Sequence, residues 1–95
     1  MEGLSEGEIE ARLGQLPAWQ VFDNTLQRQW KFPSFFEGIR FVNRVAELAD
    51  AADHHPDIDI RYTRITVRLW THTANGITEK DFDLARQIDR VVPAR

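Results

Sequence analysis

Three capping-box patterns are the feature that most restricts how this 95-residue chain can fold. Each pairs a hydroxyl residue with an acidic residue three positions later, and the pairs are Ser5 with Glu8, Ser34 with Glu37 and Thr78 with Asp81. In such a pair each side chain accepts a hydrogen bond from the other residue's backbone N–H, which satisfies two donors at the start of a helix. The patterns therefore predict three helices, which open at residues 5, 34 and 78.

Stop signals and apolar spacing define the extent and the faces of these helices. Gly14 ends the first helix, and Pro56 ends the second near His54 because it disfavours the α conformation at His55. The second helix has a wide apolar face, with a stripe formed by Phe35, Ile39, Val42, Ala46 and Ala49 and a margin formed by Phe41, Val45, Leu48 and Ala52. The last helix presents Phe82, Ala85, Ile88 and Val92. So wide a face on the second helix is typical of a helix that lies across a sheet.

Alternation of apolar and polar residues predicts four strands, at residues 19–22, 25–32, 58–62 and 64–72. The element order is α-β-β-α-β-β-α, with no repeated βα alternation. It predicts an α+β fold in which the helices pack on one face of a four-stranded antiparallel sheet. Residues 1–95 are expected to form a single domain. An uncovered sheet face or an open edge strand would favour self-association.

Composition excludes several classes of function. A formal net charge of −3 and a pI near 5.5 argue against a protein that binds nucleic acid through a basic surface. The absence of cysteine excludes disulfides, thiol nucleophiles and iron–sulfur clusters. The N-terminal residues lack the apolar segment of a secretory signal, and no apolar run is long enough to cross a bilayer. We therefore expect a cytoplasmic protein that binds neither nucleic acid nor membrane.

The histidines are the candidates for chemistry, because all three lie where an element ends. His54 and His55 follow the second helix, and His72 ends the fourth strand. Asp50 lies four residues before His54, on the same face of a helix, where its carboxylate would orient the imidazole. Spacing alone nevertheless favours the alternative of a solvated helix end, and the capping box fully explains Asp81.

Metal binding and covalent catalysis are the other chemistries to consider. Three histidines and two aspartates could form a ligand set, but the sequence has no H-x-x-x-H pattern. Adjacent side chains such as those of His54 and His55 point in different directions. No serine lies in a nucleophile-elbow pattern. We therefore expect no bound metal and no covalent intermediate.

Read as one string, Asp50-x-x-x-His54-His55-Pro56, followed by Tyr62, His72 and Asp81 at fixed intervals, resembles the signature of the pterin-4a-carbinolamine dehydratases. Residues 70–81 are similar to the strand–loop–helix passage of that family, and the likeness extends over residues 5–92. The family's fold is α-β-β-α-β-β-α with a four-stranded antiparallel sheet. The resemblance therefore implies the same fold that the element order predicts.

The resemblance also implies an activity. Members of the family remove water from 4a-hydroxytetrahydropterin to give the quinonoid dihydropterin, which allows the tetrahydropterin cofactor of aromatic amino-acid hydroxylases to be recycled. The substrate is the pterin itself, and no cofactor is needed. A homodimer or homotetramer is expected. The alternative function is that of a non-catalytic dimerisation or coactivator module on the same fold.

The same resemblance assigns residues to the site. His54 and His72 correspond to acid–base histidines, and His55 corresponds to a pterin-binding histidine that supports catalysis. The positions expected to contact the pterin are Asp50, His54, His55, Pro56, Thr71, His72, Thr73, Ala74 and Asp81. By this correspondence Asp50 lies beside the first histidine and Asp81 near the third. The fold should bring His54 and His72 to one pterin-sized cavity.

Overall fold

A computed structural model describes residues 2–93 and shows three helices and four strands. The helices are α1 (Glu6–Leu13), α2 (Phe35–Ala52) and α3 (Glu79–Val91). The strands are β1 (Gln20–Phe22), β2 (Thr25–Lys31), β3 (Asp57–Arg61) and β4 (Arg64–Leu69), and His72–Ala74 forms one turn of 3-10 helix. The order confirms the predicted α-β-β-α-β-β-α arrangement.

Each helix begins where its capping pattern predicts. Ser5 and Glu8 form both bonds of a capping box, at 2.9 and 3.2 Å. The bonds from the backbone N–H and then the hydroxyl of Ser5 hold the pKa of the Glu8 carboxyl below its ordinary value. At Ser34 the hydroxyl accepts a hydrogen bond from the backbone N–H of Glu37 at 3.2 Å. In the described part of the chain, the Glu37 side chain does not accept the reciprocal bond from the backbone N–H of Ser34. One side-chain cap is thus enough to start α2.

The four strands form one antiparallel sheet in the order β1-β2-β4-β3. Its inward face buries Leu26, Trp30, Ile65, Val67 and Leu69. The helices cover that face and contribute Phe41, Val45, Ala49, Phe82, Leu84, Ala85 and Ile88 to the core. The opposite face carries polar residues, and in one row Gln27, Arg68 and Asp57 lie side by side across β2, β4 and β3.

A charged network lies at the edge of this core. Arg28 lies on the same face of β2 as Leu26 and Trp30, and its guanidinium lies 4.7 Å from the ring centre of Trp30. Asp89 on α3 accepts hydrogen bonds from Arg28 at 2.7 Å and from the indole N–H of Trp19 at 2.8 Å. One carboxylate therefore ties β2 and the segment before β1 to α3.

The predicted face of α2 was partly wrong. Its buried residues are Gly38, Phe41, Val45 and Ala49. The predicted stripe contained exposed residues, including Phe35 and Ala46, whereas two residues assigned to the margin are buried. Gly38 was missed because glycine adds no apolar surface to a pattern. A Cβ built there would lie 3.5 Å from Ile65 and from Phe32, which is an ordinary contact distance, so the packing of α2 on the sheet does not require glycine at this position.

All four predicted strands were too long at one end, by one residue in the first three and by three residues in the fourth. Tyr62, expected in the third strand, lies in the β3–β4 turn with φ of 52° and a side chain 75% exposed. The fourth strand was predicted to reach His72 but ends at Leu69. Beyond Leu69 the backbone no longer pairs with β2 or β3, because Thr71 pairs with Gly76 in a local antiparallel bridge. No helix among the described residues has the length and apolarity required to span a membrane.

Candidate active site

The three histidines line one cavity of about 260 Å³. Its walls are formed by Asp53, His54, His55, Trp70, Thr71, His72, Thr73 and Lys80. These residues come from the end of α2, the segment after β4 and the start of α3. The fold therefore brings together imidazoles that are 17 and 18 positions apart along the chain, as expected of His54 and His72. Trp70 also lines a second cavity, of about 400 Å³.

The end of α2 determines where His54 lies. Asp53 adopts the left-handed conformation, with φ of 49° and ψ of 43°. The N–H of His54 then bonds to the carbonyl of Ala49 at 3.1 Å, and that of Asp53 bonds to the carbonyl of Asp50 at 3.2 Å. This pair of bonds is a Schellman motif, which closes a helix and turns the chain away from its axis. His54 therefore does not continue the helical face on which Asp50 lies.

His54 is paired with Asp81. Its Nε2 lies 2.5 Å from Oδ1 of Asp81, whose side chain is fully buried, while that of His54 is 11% exposed. The other carboxylate oxygen, Oδ2, accepts from the backbone N–H of Thr78 at 2.8 Å and from the hydroxyl of Thr71 at 3.0 Å. The hydroxyls of Thr71 and Thr78 are themselves 2.7 Å apart. A buried carboxylate is stable only with such donors.

Asp50 binds His55 instead of His54. Its Oδ1 lies 2.9 Å from Nε2 of His55, and both side chains are exposed. The expectation that Asp50 would orient His54 was wrong, because it assumed that helical geometry continues through Asp53. Asp81 was expected near the third histidine; its carboxylate contacts the first one directly and also accepts a hydrogen bond from Thr71, the residue before His72.

His72 is held by the turn that follows β4. Thr71 and Gly76 form an isolated antiparallel bridge, with backbone bonds of 2.8 and 3.3 Å. His72 begins the short 3-10 segment between them. Its ring stacks on Trp70, with ring centres 4.0 Å apart and planes tilted by 35°. The Trp70 indole N–H in turn donates to Asp57 at 3.3 Å, so an aromatic surface backs the imidazole.

The predicted site residues divide into two groups. Those that line the cavity are His54, His55, Thr71, His72 and Thr73. Those outside its lining are Asp50, Pro56, Ala74 and Asp81. The buried Asp81 contacts the site through His54, and the exposed Asp50 does so through His55.

Three lining residues were missed by the sequence analysis, namely Asp53, Trp70 and Lys80. Lys80 gave a signal, because a cation in the first turn of a helix opposes the helix dipole and needs another explanation. Trp70 gave another signal, because this large aromatic residue has the same alternation as the polar residues of β4, which it follows directly. Asp53 gave none.

No group of three or more His, Asp or Glu side chains within residues 2–93 is arranged to hold a metal ion. The cavity instead offers imidazoles, one ammonium group, one carboxylate at its rim and an aromatic face. Such a set can move protons to and from a small polar ring system.

Comparisons of this chain with known proteins all point to one family. The family described as "Pterin 4 alpha carbinolamine dehydratase" matches residues 2–91. A protein of Picosynechococcus sp. named "Putative pterin-4-alpha-carbinolamine dehydratase" is 53% identical over 88 residues, which cover 93% of this chain and 96% of the relative. A protein of the same name from Sulfolobus acidocaldarius is 42% identical over 88 residues, or 93% of this chain and 97% of the relative.

Two solved structures share the fold. The crystal structure of a transcriptional coactivator/pterin dehydratase from Brucella melitensis has a TM-score of 0.92 and 34% identity, and covers 97% of this chain and 100% of that one. A pterin dehydratase-like RuBisCO assembly factor of the alpha-carboxysome has a TM-score of 0.64 and covers 81% of this chain and 89% of its own. At 20% identity, the second likeness shows the fold alone.

Proposed function

Because the chain belongs to the pterin 4 alpha carbinolamine dehydratase family, we propose that it is a dehydratase that removes water from 4a-hydroxytetrahydropterin. The product is the quinonoid dihydropterin, and the reaction serves the recycling of the tetrahydropterin that aromatic amino-acid hydroxylases use. The observation that carries the proposal is the cavity lined by three histidines, one of them bonded to a buried carboxylate.

The reaction requires an acid and a base that work near neutral pH. The hydroxyl at C4a leaves as water after it gains a proton, while the electron pair on N5 forms the new C=N bond and a ring nitrogen loses a proton. Imidazole is the side chain best suited to give and take protons in this range. Well-placed acid–base groups contribute about 10²–10⁴-fold in rate, which is enough for a reaction that also proceeds without an enzyme.

His54 and His72 are the proposed acid–base pair. They approach the cavity from different elements, one after α2 and one after β4. His54 is held rigidly by the buried Asp81, and His72 is backed by the Trp70 ring. His55, oriented by Asp50, would hold the pterin ring and support the charged transition state.

The remaining site residues would contact the pterin or support the segments that carry the histidines. Thr71 and Thr73 would contact the pterin from the loop that carries His72. Pro56 and Ala74 lie outside the lining and would shape the segments on which the histidines lie. Lys80 adds a positive charge at the rim, where it would attract a carbonyl oxygen of the ring.

The test is to follow freshly generated 4a-hydroxytetrahydropterin by ultraviolet absorbance, with and without the protein. The protein should accelerate loss of the carbinolamine, and His54→Ala should lower turnover at least about tenfold with the fold retained by circular dichroism. His72→Ala should do the same. Asn43→Ala, on the exposed surface of α2, is the control and should leave the rate unchanged. Full activity of the His54 variant would remove the assignment of that residue.

A second candidate function is a non-catalytic dimerisation or coactivator module. It is favoured by the name of the Brucella protein, which joins a coactivator to a dehydratase. Every position that the family's signature uses for chemistry is filled here, which binding alone would not require. Binding to a partner helix by a protein with no effect on carbinolamine loss would favour this alternative.

We also propose that the protein acts in the cytoplasm as a homodimer or homotetramer. Support for self-association comes from exposed aromatic side chains near the start of α2, where Phe35 is 49% and Phe36 is 63% exposed. The outer edges of β1 and β3 could also pair with another copy.

A further inference from the structure

We propose that Thr71, Thr78 and Asp81 together fix the neutral form of His54 as the tautomer protonated at Nε2. The other ring nitrogen, Nδ1, is then the atom that accepts a proton. Thr71 thereby becomes a positioning residue that acts on His54 from the segment carrying His72. The catalytic meaning of this inference rests on the proposed function, whereas the position of the proton does not.

The direction of each hydrogen bond around Asp81 follows from counting protons. Thr71 has one hydroxyl proton, and it is donated to Oδ2 of Asp81 at 3.0 Å. The 2.7 Å contact between the two threonine hydroxyls must then use the proton of Thr78. The hydroxyl of Thr78 in turn accepts from the backbone N–H of Lys80 at 3.3 Å. The chain of donors therefore runs in one direction, from Lys80 to Asp81.

Asp81 is consequently surrounded by donors. The backbone N–H of Thr78 gives Oδ2 a second hydrogen bond, at 2.8 Å. Asp81 also lies in the first turn of α3, where the helix dipole favours negative charge. Both features stabilise the ionised carboxylate, which has only acceptors to offer. The 2.5 Å contact of Oδ1 with His54 therefore requires a proton on Nε2.

The identity of the proton-accepting nitrogen follows from this arrangement. A neutral imidazole carries one N–H, so a proton held on Nε2 leaves the lone pair on Nδ1. Nε2 faces a fully buried residue, and it cannot exchange protons with a ligand without breaking that contact. Thr71 has a double function, because it also holds the loop of His72 through its bridge to Gly76.

The replacement Asp81→Asn tests the tautomer directly. Thr71 and Thr78 would still present donors at the position of Oδ2, so the amide oxygen must occupy it. The amide NH2 then faces His54, and Nε2 must become an acceptor. Nitrogen-15 NMR, recorded at a pH at which the His54 imidazole is neutral, should show its proton on Nε2 in the wild type and on Nδ1 in the variant. Turnover should fall about 10²-fold or more.

The role of Thr71 is tested by Thr71→Val and Thr71→Ser. Valine removes the hydroxyl at nearly constant volume, so Asp81 loses one of the two donors that hold its carboxylate against Nε2. The share of neutral His54 protonated at Nε2 should then fall, with kcat lowered about tenfold and KM within about twofold. Serine restores the donor and should restore the signals and the rate. Thr66→Val is the matched control, because Thr66, on β4, is a buried threonine like Thr71 but its hydroxyl accepts a hydrogen bond from the Gln29 side chain. It should leave the His54 signals unchanged.

The outcomes separate this inference from the proposed function. A wild-type proton on Nδ1, or an unchanged tautomer in Asp81→Asn, would overturn the inference even if the protein is an active dehydratase. The predicted exchange of tautomers in a protein without activity on the carbinolamine would support the inference and refute the function. Equal losses of kcat in the valine and serine variants would overturn the role of Thr71.

Discussion

At the scale of single residues, the types of side chain in the site were predictable and their pairings were not. The histidines stood out because each follows an element and because the signature spans them. Their carboxylate partners depended on Asp53, which leaves the helix in a left-handed conformation that nothing in the pattern indicates. Spacing explained Asp81 completely by its capping role, and although the family signature includes this residue, nothing in the sequence paired it with His54.

Asp89 allows a stability prediction at this scale. Asp89→Ala leaves the Trp19 indole N–H and the Arg28 guanidinium without their shared acceptor in a half-buried place. The free energy of unfolding should fall by about 1–3 kcal/mol, measured by urea denaturation. Asp83→Ala on the same helix removes an exposed ion pair with Arg86 and should change stability by less than about 0.5 kcal/mol. Equal effects of the two substitutions would contradict the role given to Asp89.

At the scale of elements, helix starts were predicted better than faces and strand ends. Capping is local chemistry within four residues, and all three starts agree with it. The buried face of α2 depends on which residues meet the sheet, and it follows Gly38, Phe41, Val45 and Ala49. The end of β4 depends on the bridge from Thr71 to Gly76. Period-2 alternation indicates that a segment is extended but does not indicate which segment it pairs with.

Gly38 gives the prediction for an element. A methyl group there would meet Ile65 and Phe32 at ordinary contact distance, so alanine fits without displacement. Gly38→Ala should raise stability by about 0.5–1 kcal/mol through helix propensity, or Tm by roughly 2–8 °C. Gly7→Ala in α1, whose Cβ would meet nothing within 4 Å, serves as the control for propensity alone. If Tm falls for Gly38→Ala but not for Gly7→Ala, the contact between α2 and the sheet is too tight for a methyl group.

At the scale of the whole molecule, the fold class was predictable because hairpins and helices alternate without βα repetition. The strand order β1-β2-β4-β3 was not predicted, since it joins β2 to β4 across the intervening α2 and β3. The cavity likewise depends on long-range packing, which places the end of α2 against the start of α3. From the sequence, such a cavity could be expected only through the resemblance to a family.

Phe36 gives the prediction for the assembled molecule. If the exposed aromatic residues at the start of α2 are covered by another copy, Phe36→Glu should place a charge in that contact and lower the solution mass. Light scattering after gel filtration should show a dimer or tetramer for the wild type and a smaller species for the variant. Tyr62→Glu, also an exposed aromatic residue, is the control and should keep the wild-type mass. A monomeric wild type would contradict the proposed assembly.

The bridge between Thr71 and Gly76 has a consequence for how the sequence can diverge. Surface loops usually accommodate insertions and deletions. Here Thr71 is bound at once to Gly76 across the loop and to Asp81 beyond it. An added residue between them would separate these two attachments and disturb both histidines together. Length variation among descendants of this chain should therefore accumulate elsewhere, for example in the segment between α1 and β1, and spare this loop.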